Sequence, residues 1–141
     1  MIKKKLNRIL LIDDSEADNF FHMRVIRKMN CALEVIAKES AEEALDYLRL
    51  AVDGIYPKPD LIFLDINMPG MNGWEFLEVY DTLEIDQKAR TVIVMLTTSL
   101  NPQDAENSKN NDKINEFMNK PLTSAMLEKI LRENFKECFE D

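Results

Sequence analysis

At 141 residues the chain has room for one domain, and 45% hydrophobic with 31% charged residues suits a packed core, not a disordered chain. A formal net charge of -8 argues against nucleic acid or an anionic membrane surface as a partner. No run nears the roughly 18 apolar residues that span a bilayer, and no signal segment follows the first lysines, so the cytoplasm is the expected location.

The first predicted strand, residues 7–12, carries Ile9, Leu10, Leu11 and Ile12 in a row and ends on Asp13-Asp14. Ser15 is placed to cap a helix running to about Asn30, with Glu16 and Asp18 in its first turn. Phe20, Phe21, Val25 and Met29 recur along it at helical spacing. Residues 33–37 read as a short strand. Ser40 and Glu43 make a capping-box signature for the next helix, whose apolar stripe is Ala44, Leu45, Leu48 and Val52. After a loop at 54–59 comes the run Leu61-Ile62-Phe63-Leu64, which leads straight into Asp65 and a loop rich in Pro, Gly and Asn. An uninterrupted apolar run bounded by turn signals is what a strand buried on both faces looks like.

Asn72-Gly73 opens a third helix with Trp74, Leu77, Val79 and Tyr80 inward and its end near Asp86. Residues 91–96 form a fourth buried strand that runs into Thr97-Thr98-Ser99. Asn101-Pro102 begins a helix to about Asn110, polar nearly all round, with Ala105 its main apolar residue. Such a helix has little to bury and is expected to be the least firmly held. A fifth strand, 114–119, ends at Lys120-Pro121. The last helix starts at Thr123 and carries Met126, Leu127, Ile130, Leu131 and Phe135 on its inner side. No linker or repeat interrupts this pattern, so residues 1–141 read as one domain with its core from about 5 to 135 and no separate output domain.

Strands alternating with helices give an α/β fold: a five-stranded parallel sheet with helices on both faces. The acid-tipped first and third strands make sense as neighbours at a switch point, which the order 2-1-3-4-5 provides. Asp13, Asp14, Asp65, Thr97 and Lys120 then converge at the carboxyl ends of the strands. Three carboxylates packed together repel unless a cation joins them, and an all-oxygen set suits a hard ion such as Mg²⁺. A carboxylate nucleophile, a divalent ion, an ammonium and a hydroxyl are what phosphoryl transfer to an aspartate requires.

Other residues carry less. His22 is expected mid-helix, far from the strand tips, with no catalytic part. Cys31 and Cys138 have no His or Cys companions at ligand spacing, so two reduced thiols are expected, without a disulfide or zinc. The methionines fill the core.

The pair Asp13-Asp14, the block from Leu64-Asp65-Ile66-Asn67-Met68-Pro69-Gly70 to Met71-Asn72-Gly73, Leu96-Thr97-Thr98-Ser99 and Asn119-Lys120-Pro121 together resemble the bacterial response-regulator receiver domain. The resemblance is to stand-alone, chemotaxis-regulator-like members with a flavodoxin-like fold. It implies that Asp65 accepts a phosphoryl group from a sensor histidine kinase or histidine phosphotransfer protein. It further implies that Asp14, Asp65 and the Asn67 carbonyl bind Mg²⁺ directly, Asp13 through water, while Thr97 and Lys120 hold the phosphoryl oxygens. Thr97 and an aromatic, here Phe117, would switch on phosphorylation to alter binding of a downstream protein. Many relatives carry Tyr at that position and Ala or Gly where this chain has Thr98. The larger Thr98 implies a longer-lived acyl phosphate.

On this reading the chain phosphorylates and dephosphorylates only itself and is no enzyme. The alternatives are a phosphorelay intermediate, a Mg²⁺-dependent aspartyl-phosphate phosphohydrolase and a receiver-like binding module without phosphorylation. Asn67 stands where the phosphohydrolase needs a second acid.

Overall fold

Each apolar run that ends on a polar residue becomes a parallel strand in the computed structural model, which describes residues 2–84 and 91–139. The elements follow as β1 (Leu6–Ile12), α1 (Glu16–Met29), β2 (Ala32–Lys38), α2 (Ala41–Arg49), β3 (Leu61–Leu64), α3 (Gly73–Asp81), β4 (Val92–Thr97), α4 (Pro102–Lys109), β5 (Glu116–Asn119) and α5 (Ser124–Asn134). The sheet order is β2-β1-β3-β4-β5, with every pairing parallel, as expected. Among the described residues, no helix is long and apolar enough to cross a membrane.

Strand alternation divides the core in two. Ile9, Leu11, Leu61, Phe63, Val94 and Leu96 face α1 and α5, where they meet Ile26, Leu127, Ile130 and Leu131. Leu10, Ile12, Ile62, Leu64, Ile93 and Met95 face α2 and α3, where they meet Leu45, Leu48, Phe76 and Leu77. Burying both faces makes the central strands continuously apolar. Helix α4 buries only Ser108, in keeping with its polar sequence.

Several helix faces depart from expectation. Helix α1 buries Asn19, His22 and Ile26, while Phe20 and Phe21 are 64% and 49% exposed. The inward face there looks partly onto charged strand tips, so polar side chains occupy positions that a purely apolar stripe would claim. Helix α2 stops at Arg49, which leaves Val52 outside it, exposed and bridged to Ile55 across a tight turn. In α3 the buried residues are Phe76, Leu77 and Tyr80, with Trp74 and Val79 only partly covered. That helix ends at Asp81, and Asp86 lies outside the described residues. Cys31 and Cys138 are free thiols, both buried.

Candidate functional site

Register brings the two acid-tipped strands level. Ile12 of β1 pairs with Leu64 of β3, so Asp13 and Asp65 emerge side by side, and the Asp65 N–H donates to the Ile12 carbonyl at 3.0 Å. On the other flank Thr97 pairs with Asn119, and the Lys120 N–H donates to the Thr97 carbonyl at 2.9 Å. The sheet therefore delivers Asp13, Asp65, Thr97 and Lys120 to one edge.

Local bonds then aim the carboxylates. One Asp13 oxygen accepts from the Ser15 N–H at 2.9 Å, and one Asp65 oxygen from the Ile66 N–H at 2.9 Å. Asn19, on the inner face of α1, donates its amide to the Asp13 carbonyl at 2.9 Å. The loop after Asp65 closes through Gly73, whose N–H donates to the Ile66 carbonyl at 2.8 Å. A Cβ at Gly73 would collide with the Asp65 carbonyl oxygen and stand 3.0 Å from the Ile66 Cα, so only glycine fits this approach.

Carboxylate oxygens of Asp13, Asp14 and Asp65 lie within 4.8 Å of one another, a spacing that could hold a metal ion. Asp13 and Asp65 are buried, while Asp14 is exposed. The buried Lys120 ammonium reaches three carboxylates: Asp13 at 2.5 Å, Asp18 at 3.0 Å and Asp65 at 3.4 Å. Burial pushes the Asp65 carboxyl above its usual range; Lys120 pulls it back and Asp13 pushes it further up. Burial works against the Lys120 charge, but hydrogen bonds to Asp13 and Asp18, reinforced by the Asp65 charge, outweigh it and hold the ammonium above its ordinary value. With Asp14 beside this trio, four carboxylates stand against one ammonium and leave the strand tips negative. A divalent cation would relieve that excess, and an all-oxygen donor set suits a hard ion.

The remaining expected residues sit nearby. Thr97 is buried, and its hydroxyl accepts from the Ser99 N–H at 3.2 Å. Asn67 is exposed in the loop after Asp65. Phe117 pairs with Met95 and packs, partly buried, against the α2–α3 side of the core. His22 differs from expectation: it is buried and lines the same cleft as Asp13, Asn19 and Asp65. Burial, aided by the Lys120 charge, lowers its pKa, against the opposing pull of the Asp13 and Asp18 charges.

Two further features were not read from the sequence as part of the site. Asp18 reads there as a helix-end charge, although its position one turn into the helix after an acidic pair was a usable signal. The second is a polar chain on the far side. Ser99 donates its hydroxyl to Asp104 at 2.5 Å, and Asp104 also accepts from the Trp74 indole N–H at 3.4 Å. It ties the start of α4 to the start of α3.

A five-stranded α/β sheet with an acidic cluster and a buried lysine at its carboxyl edge is the class that fold and site define. Residues 9–132 match the response regulator receiver domain, and the chain belongs to that family. Members are generally phosphoacceptors, not classical enzymes, and they work with histidine kinases or phosphotransfer proteins. The chain is 29% identical over 126 residues to the probable methanogenesis regulatory protein FilR2 of Methanothrix harundinacea, covering 89% of this chain and 79% of that one. It is 28% identical over 127 residues to the two-component response regulator ORR1 of Oryza sativa, covering 89% of this chain but 54% of the rice protein. Among solved structures, a two-component response regulator from Cytophaga hutchinsonii superposes with a TM-score of 0.82 at 29% identity, over 94% of this chain and 99% of that one. The relatives include archaeal and plant proteins, so the family does not by itself assign a bacterial source.

Proposed function

We propose that the chain is a response regulator that accepts a phosphoryl group on Asp65 in a Mg²⁺-dependent step and signals through protein contacts. The observation that carries this is the meeting of Lys120 with Asp65, 3.4 Å apart, inside a cluster of carboxylates spaced for a cation. An Asp65 oxygen attacks the phosphorus of a phosphohistidine on a kinase or phosphotransfer protein. The P–N bond breaks as the P–O bond forms, and the imidazole leaves with the electron pair and takes up a proton. Asp13, Asp14, Asp65 and the Asn67 carbonyl would hold Mg²⁺, which supplies charge neutralisation for the phosphoryl oxygens.

Lys120 donates to one phosphoryl oxygen as charge builds there. The Thr97 hydroxyl, now accepting from Ser99, donates to another, and this shift would reach α4 through Ser99 and Asp104. Phe117 is the aromatic that would follow, without the hydroxyl a Tyr would add. Thr98, exposed beside Thr97, would shield the acyl phosphate from water. A phosphorelay role uses the same chemistry, with the group passed on to a second histidine.

The test is an intact mass after incubation with acetyl phosphate and Mg²⁺. Wild type should gain one phosphoryl group, while Asp65→Asn and the chelator-treated protein should gain none. No gain in wild type would leave a binding module.

A further inference from the structure

Lys120 has three N–H donors, and three carboxylates surround it. Two of them, Asp13 and Asp65, belong to the set spaced to share a cation. Asp18 does not: its carboxylate, in the first turn of α1, meets Lys120 at 3.0 Å and lies outside that set. That turn is built to present it. Ser15 caps the helix by accepting the Asp18 N–H at 3.2 Å, which sets Asp18 one turn before His22 on the inner face.

We propose that Asp18 is a positioning residue for phosphoryl transfer, anchoring Lys120 over the acceptor through a carboxylate that the cation does not claim. The inference rests on the phosphoacceptor reading above. With a phosphoryl group and a cation bound, Asp13 and Asp65 would hold the cation. The donors they held become available to phosphoryl oxygen, while the donor on Asp18 stays engaged and keeps the ammonium from swinging into solvent. Asp18 touches neither the phosphoryl group nor the cation, so its effect runs wholly through Lys120. The Asp18 side chain is 42% exposed, against 8% for Lys120, which limits the effect to that of a half-screened ion pair.

The probe is beryllofluoride, a phosphoryl-group analogue, titrated with Mg²⁺ by calorimetry into wild type, Asp18→Ala, Asp18→Glu, Lys120→Ala and the Asp18→Ala/Lys120→Ala double variant. Asp18→Ala should weaken binding roughly two- to fivefold, the range for a partly exposed pair. Asp18→Glu should recover part of the loss, and removing Asp18 should have no further effect once Lys120 is gone. If Lys120→Ala binds too weakly to measure, recovery by Asp18→Glu decides. Thermal midpoints for each variant separate this from a failure to fold. Wild-type binding with Asp18→Ala unchanged, or a loss that persists without Lys120, would overturn the inference alone. No binding by wild type would overturn the phosphoacceptor reading and the inference with it.

Discussion

The two helices that border the site, α1 and α4, are held in opposite ways. Helix α1 drives Ile26 fully into the core and extends Asn19 and Asp18 onto the strand-tip cluster, one to the Asp13 carbonyl and one to Lys120. Helix α4 buries only Ser108, and Asp104 ties its first turn to Ser99 and Trp74 by hydrogen bonds. Apolar burial is lost whenever a helix moves, whereas partly exposed polar bonds such as these exchange with water at lower cost. One flank of the cluster is therefore part of the core. The other is attached to it, and a change of charge at the strand tips should be absorbed there.

The contrast can be broken by substitution. Ile26→Ala should lower the unfolding free energy by about 2–5 kcal/mol, as for other fully buried aliphatic residues, while Ser108→Ala should cost about 1 kcal/mol. Urea unfolding of both would read the difference, and a reversed order would show that α4 is no less anchored than α1. Gly73→Ala asks which flank the Asp65 loop belongs with. The added methyl meets backbone, not a side chain that can swing away, so a loss of about 1–3 kcal/mol is expected. A variant as stable as wild type would mean that the loop yields. The smallest effect is sought on the attached flank. Asp104→Ala should change stability by about 1 kcal/mol or less. It should nonetheless speed amide exchange along α4, leave α1 unchanged and alter Trp74 emission. Equal exchange in both helices would remove the distinction.

The sheet was legible because its strands are uninterrupted apolar runs and their polar tips stop at matching points. Ile12-Asp13 and Leu64-Asp65 announce both burial and chemistry, and strand order follows once those tips must be neighbours. Helix faces were less legible where they lean over the site. Apolar periodicity assumes that inward means apolar, and on α1 that assumption selected Phe20 and Phe21 while Asn19 and His22 point in. On α3 the apolar spacing does not single out Phe76, because several apolar residues compete for one narrow face. The need for glycine at position 73 could not be read, because it arises from the Asp65 carbonyl across a loop and not from its own backbone angles. Asp18 was visible as a helix-end charge, but its partner lies in β5's exit loop, over a hundred residues further on.

The most direct test of the account is to locate the phosphoryl group. Wild-type protein treated with acetyl phosphate and Mg²⁺ would be reduced with borohydride, which converts an acyl phosphate to the alcohol, and then sequenced by peptide mass spectrometry. Homoserine is expected at position 65 alone. Homoserine at position 13 or 14, or at none of the carboxylates, would contradict it.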